Sequence, residues 1–231
     1  MNVIMTVAII PARGGSKRLP RKNILPILGK PLIEFPIAAA IKCGLFTSVI
    51  VSTEDDEIAQ IARSAGSQVI MRPHELCDDR STVVQVCTHV LNSLEKIDQI
   101  PDHFCCIYAT AIFLTHDDLR ESFDLLKQKP EADFVMGVSE FNFQPVQALE
   151  QENGYLALKW AEYKDVQSQF QPKLVASNGT LYWARSSVFL NIKSFYGNRL
   201  KGYNIPQLRV VDIDTKQDFK MAEILARHLL I

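Results

Sequence analysis

Val7-Ala8-Ile9-Ile10-Pro11-Ala12-Arg13-Gly14-Gly15-Ser16-Lys17-Arg18-Leu19-Pro20-Arg21-Lys22-Asn23 joins an apolar run to a loop of glycines and cations. Val7–Ile10 reads as a short buried strand. The glycine pair permits positive φ and close backbone approach to a ligand. Successive N–H groups in such a loop can form an anion-binding nest. Arg13, Lys17, Arg18, Arg21 and Lys22 add charge, so the loop suits a triphosphate at a strand's carboxyl end. Neither GxxxxGK[ST] nor GxGxxG occurs in this segment. The bland alternative is a solvated basic loop; glycines plus cations directly after a first strand are the more specific combination.

Outward from this loop, strands and helices alternate. Pro31–Cys43 has helical spacing, with Gly44 as a stop. Val49–Thr53 is a second strand, and Thr53 caps a helix with Glu54, Asp55 and Asp56 in its first turn. Val69–Met71 is a third strand and Ser81–Leu94 a helix. Phe104–Ala109 is a fourth strand, followed by the helix Asp117–Lys127 capped by Thr115, and then the strand Phe134–Val138. The pattern lapses from Phe141 to Pro172, where alternating residues flank the hairpin turn Asn153-Gly154. It resumes with Leu181–Trp183, a strand Leu208–Ile213 and a helix capped by Thr215. This order predicts an α/β three-layer sandwich with a mostly parallel sheet, one domain over 1–231 with an excursion at 141–172, and a ligand site at the strands' carboxyl ends.

The 231 residues hold 25 Lys+Arg and 26 Asp+Glu, with 47% hydrophobic residues. That balance excludes a disordered chain and argues against a nucleic-acid binder. Residues 1–30 hold six cations and no acid, so nineteen cations face twenty-six acids elsewhere, a net −7. The apolar run from Val3 precedes Arg13, which does not fit a signal peptide, and no membrane-length apolar stretch occurs. The five cysteines show no metal spacing; they read as core residues, and the expected compartment is the reducing cytoplasm. His74, His89, His103, His116 and His228 share no ligand spacing.

Asp212 and Asp214, two apart on the expected strand, would point to one face. Beside a triphosphate they could hold Mg²⁺ through oxygen; alternatively they form a strand-end turn where Asp214 or Thr215 caps the next helix.

Ile9–Lys17 with Pro20-Arg21-Lys22-Asn23 resembles the acylneuraminate cytidylyltransferase family. The resemblance continues through Gly29–Ile33, Val51–Asp56, Arg72-Pro73 with Glu75-Leu76, Asn178-Gly179 with Tyr182, and Asp212–Thr215. It implies a nucleotide-diphospho-sugar transferase-like fold and transfer of CMP from CTP to a nine-carbon 2-keto (nonulosonic) sugar acid, with pyrophosphate released. It assigns Ala12, Arg13, Gly14, Gly15, Ser16, Lys17, Arg21, Asn23, Arg72 and Thr82 to the nucleotide. Arg13, Lys17 and Asp212 would be catalytic, and Asp212 and Asp214 would hold Mg²⁺. For Arg72, a surface ion pair is an equal alternative on sequence alone. Family members dimerise through an inserted element, and the 141–172 excursion with Trp160 is read as that element in a homodimer.

Tyr108-Ala109-Thr110-Ala111-Ile112-Phe113 is similar to the pseudaminic acid branch of the family, with Ile112 in place of a proline. Gln147 and Val166-Gln167-Ser168-Gln169 depart from that branch where cations are expected on the sugar side. The alternatives are another 2-keto sugar acid, such as an octulosonic acid, or a catalytically silent nucleotide-sugar binder.

Overall fold

The computed structural model describes residues 4–128 and 130–230. The expectation for Val3 lies outside the described residues. The strands are β1 Thr6–Pro11, β2 Pro26–Ile27, β3 Lys30–Pro31, β4 Ser48–Thr53, β5 Gln68–Met71, β6 His103–Ile107, β7 Phe134–Glu140, β8 Leu149–Glu152, β9 Tyr155–Leu158, β10 Val175–Arg185 and β11 Leu200–Asn204. The helices are α1 Glu34–Cys43, α2 Asp56–Ser64, α3 Val83–Glu95, α4 His116–Lys127, α5 Ser186–Ile192 and α6 Lys216–Leu229.

Seven strands form one sheet in the order β11-β7-β10-β6-β1-β4-β5. β10 runs antiparallel to both its neighbours, and the other pairings are parallel. Alternation along β1 divides the core. Ala8 and Ile10 pack with α1, α2 and α4, while Val7 and Ile9 face α3 and α5. The three layers follow, since a strand buried on both faces needs helices on both. Cys105 and Cys106 are buried on opposite faces and all five cysteines are free, so the neighbouring thiols belong to two different cores. A third cluster packs α6 through Ala222 and Ala226 against Leu19, Leu32 and Phe113.

Local chemistry sets the helix starts. Thr82, Thr115 and Thr215 each close a capping box, with Gln85, Asp118 and Asp218 as the reciprocal partners. Asp55, not Thr53, caps α2 by accepting from Ile58 N at 3.0 Å. Asn153 and Gly154 both take positive φ between β8 and β9, the hairpin expected from that dipeptide. No strand forms over 208–213. β11 already pairs with the edge of β7, and Gln207–Arg209 turns as a 3-10 helix whose Arg209 is gripped by Asp118. No helix among the described residues is long and apolar enough to cross a membrane.

Candidate active site

The chain leaves β1, builds β4 and β5 on one side, then returns through α3 to place β6 on the other side. Such a reversal opens a crevice at the carboxyl ends of the strands. A cavity of about 260 Å³ lies there. Arg13, Ser16, Lys17, Arg18, Lys22 and Asn23 line it from the first loop. Arg72 follows β5, Asp79 and Ser81 precede α3, Tyr108 and Thr110 follow β6, and Asp214 precedes α6.

The loop is anchored to the β4–α2 turn. Ala12 N donates to Ser52 O at 2.9 Å, and Gly14 N donates to Glu54 Oε1 at 2.7 Å. Gly14 and Gly15 do not use the positive φ open to them. Gly14 is required for space: a Cβ there would lie 2.5 Å from Asp55 Oδ2. At Gly15 a Cβ would meet nothing within 4 Å. Among the described residues no hydrogen bond takes up the N–H of Gly15 or Lys17, which leaves both for an anion. Arg21 sits at φ 58° and its guanidinium grips Asp55 and Glu57, so it braces the loop and does not line the cavity. The Asn23 side chain is buried and donates to Arg13 O at 2.9 Å, closing the loop on itself.

The loop's other cations are paired across long sequence distances. Arg13 and Lys17 meet Asp79 at 2.8 and 2.5 Å. Arg18 and Lys22 both meet Asp214. Arg72 differs. It is buried, donates to Ser52 O at 2.8 Å, and has no carboxylate within 4.0 Å among the described residues. Burial holds its guanidinium pKa below the usual value, with Glu54 opposing. A buried cation facing a cavity without a counter-ion is a ready anion partner.

A second cavity, about 780 Å³, adjoins the first, and Tyr108 lines both. Its wall includes Ser139, Asn178, Tyr182, Gln207 and Asp212. A bulge in β10 between Ser177 and Tyr182 turns Asn178 and Gly179 toward it. Gly137 makes room, since a Cβ there would lie 2.3 Å from Thr180 Oγ1. Tyr182 OH lies 2.7 Å from Ser177 Oγ, and its ring is 5.6 Å from that of Tyr108.

The aspartate pair departs from its expected setting. Asp212 and Asp214 lie in irregular chain, Asp212 on the second cavity and Asp214 on the first. Burial and the neighbouring Asp214 push the Asp212 carboxyl above the usual range. Burial acts on Asp214 in the same sense, but Lys22 and Arg18 outweigh it and hold that carboxyl low. Among the described residues no three His, Cys, Asp or Glu side chains gather as a metal cluster. Thr82 caps α3, and its neighbours Ser81 and Val83 reach the first cavity where Thr82 does not.

A sequence model of the cytidylyltransferase family matches residues 7–228. The chain belongs to the cytidylyltransferase family. It is 35% identical over 223 residues to the pseudaminic acid cytidylyltransferase of Campylobacter jejuni, with 95% of each chain covered. It is 28% identical over 223 residues to the CMP-N,N'-diacetyllegionaminic acid synthase of Legionella pneumophila, again with 95% of each covered. Among solved structures it resembles CMP:2-keto-3-deoxy-manno-octonic acid synthetase in complex with CTP, at a TM-score of 0.72. That match covers 97% of this chain and 99% of the other at 17% identity, so it speaks to the fold. Family and fold class are those expected from the first loop and the strand order.

Of the residues central to this geometry, Asp79 has no place in the sequence reading, and Glu54 and Tyr108 enter it only as a first-turn acid and as part of a family-like segment. Asp79 and Tyr108 both follow strands at their carboxyl ends, which is the positional signal that could have found them. Glu54 carries that signal too, directly after β4, but the signal does not give its role. Among the described residues its buried Oε2 is without a partner while Oε1 holds Gly14, a relation only the folded chain creates.

Proposed function

We propose that the chain is a CTP-dependent cytidylyltransferase that activates a nonulosonic acid to its CMP-sugar with release of pyrophosphate. The observation that carries the proposal is the pair of adjoining cavities. One is walled by loop cations and a buried arginine with no carboxylate partner among the described residues, the other by amide, hydroxyl and aromatic groups together with the carboxylates of Glu140 and Asp212, and Tyr108 is common to both. The first suits a nucleoside triphosphate and the second a sugar acid of the kind named for the relatives. Arg13, Lys17 and Arg72 would bind the phosphates and offset charge gathering on the leaving pyrophosphate. The free N–H groups of Gly15 and Lys17 would add neutral donors. Asn23 would hold the loop closed so that these groups converge. The sugar's anomeric hydroxyl, in the second cavity, would attack the α-phosphorus across the shared wall, so positioning supplies much of the catalysis.

Asp212 and Asp214 would hold Mg²⁺. The donor set fits, because Mg²⁺ takes one or two carboxylates and keeps waters and phosphate oxygens for the rest. Burial and the neighbouring Asp214 raise the Asp212 carboxyl, and a divalent cation would relieve the repulsion between the two. When bound, the ion would neutralise phosphate charge and make a nearby hydroxyl more acidic. Pyrophosphate release from CTP with a panel of nine-carbon and eight-carbon 2-keto sugar acids tests the assignment. Turnover is expected with a nine-carbon member. Tight CTP binding without turnover on any member would leave a binding protein instead.

The excursion at 141–172 would form a homodimer contact. Phe143, Tyr155, Leu156 and Phe170 are each more than 60% exposed there, an apolar surface of the kind that seeks a partner. A sedimentation velocity run expects a dimer, and a monomer after Phe143→Ser with Leu156→Ser.

A further inference from the structure

Among the described residues Asp79 has no structural employment apart from the loop cations. It rides on a turn that Asp78 holds shut by accepting from Arg80 N at 3.0 Å and Ser81 N at 2.8 Å. Among the described residues its carboxylate contacts only Arg13 and Lys17. The side chain is 46% exposed, and that of Lys17 is 80% exposed. Asp55, by contrast, holds Arg21 and also caps α2, so it cannot leave without uncapping a helix. Lys17 and Arg13 hold the Asp79 carboxyl below its usual range, so it is ionised at neutral pH. Asp79 is thus an anion at the mouth of an anion site, on the cations that a phosphate would use, and free to move aside.

We infer that Asp79 is a built-in counter-ion that takes the place of a phosphate group on Arg13 and Lys17 and competes with pyrophosphate for them when the reaction ends. The inference rests on the cytidylyltransferase proposal, which makes pyrophosphate a product. A cluster of cations strong enough to hold a triphosphate also retains the pyrophosphate it produces. A carboxylate tethered beside that cluster acts at a high effective concentration without diffusing to it. Each Asp79 contact is an exposed pair, so its competition is modest and readily reversed. That suits a residue displaced and restored in every cycle.

The test is calorimetric titration of the full-length chain with inorganic pyrophosphate and, separately, with CTP. Asp79→Asn is expected to bind pyrophosphate about two- to five-fold more tightly than the wild type. Pyrophosphate should inhibit its turnover at correspondingly lower concentration, and the gap should narrow at high salt. Asp79→Ser, which removes the charge with a shorter side chain, should give the same gain, whereas Asp79→Glu should stay near wild type. Unchanged or weaker pyrophosphate binding in both neutral variants would overturn the inference, since Asp79 would then be positioning the cations. If the wild type binds pyrophosphate and CTP but the variants show no gain, only this inference falls. If the wild type binds neither, the proposed function falls and takes the inference with it.

Discussion

Replacing Arg72 with methionine separates binding from folding at one residue. The arginine stem is buried and methionine fills similar space, so packing is largely kept. Three hydrogen bonds are lost, but only that to Ser52 O is short, at 2.8 Å; those to Ser52 Oγ and Leu76 O are both 3.4 Å. Ser52 O still accepts from Ala12 N at 2.9 Å, so it is not orphaned. The structural cost therefore falls at the low end for a lost partner, about 1 kcal/mol. Removing a buried charge that has no carboxylate offsets part of that cost. A melting shift of about 2–4 °C or less follows for a chain of this size. Nucleotide binding should respond far more. A charge-assisted bond to phosphate or base is worth about 1.5–3 kcal/mol, which is roughly ten- to a hundred-fold in the CTP dissociation constant. Differential scanning fluorimetry and CTP titration on the same preparation measure the two effects. CTP affinity within two-fold of wild type would refute the assignment of Arg72 to the nucleotide. A melting loss above about 10 °C would show that its role is to hold up the fold.

Asp212→Asn is expected to abolish Mg²⁺-dependent turnover while leaving metal-free CTP binding within a few-fold, and near wild-type turnover would remove Asp212 from the metal site. Gly14→Ala should drive its new methyl into Asp55 and disturb the α2 cap, which is worth about 1 kcal/mol, together with the brace on Arg21; a fall in turnover exceeding the small melting shift is the expected result. Asp118→Asn should cost about 1.5–3 kcal/mol at neutral pH by breaking the part-buried, charge-assisted pair with Arg209. Burial acts to raise the Asp118 carboxyl, but Arg209 and Thr115 outweigh it and hold its folded pKa below the unfolded value. Its contribution is therefore fully present above the ordinary carboxylate pKa of 3.8 and fades as pH falls through the folded value, so chemical denaturation curves of wild type and variant should converge only in acid.

The layered sheet was legible because β1, β4 and β6 are buried on both faces and read as continuous apolar runs. The loop was legible as a candidate anion site because its cations follow a strand directly. The terminal aspartates read as a pair, but on a strand that does not form. Val210-Val211 has strand composition, but sheet membership depends on which segment takes the free edge, and β11 holds it. β11 has no strand signal in the sequence, because Leu200-Lys201-Gly202-Tyr203-Asn204 carries a glycine and little apolar pattern. Gly202 is there because a Cβ would lie 2.9 Å from Val138 Cγ2, a constraint that exists only after pairing.

Arg21 shows where composition stops being informative. Five cations within ten residues look equivalent in the sequence. The fold divides them by the acids it brings to each. Arg21 meets Asp55 and Glu57 on the α2 turn, Arg13 and Lys17 meet Asp79, and Arg18 and Lys22 meet Asp214. Without those acids the loop's like charges would repel at close range. The net charge of −1 thus conceals local neutralisation by carboxylates from three distant segments. The three are not equal in kind. Asp55 is committed to a helix cap, so its pairing with Arg21 is permanent and sets the loop's shape. The side chains of Asp79 and Asp214 contact cations alone among the described residues, so those pairings are the ones open to exchange for the phosphate and metal proposed above. A loop built this way keeps its shape while empty and still has charges to give up when a triphosphate arrives.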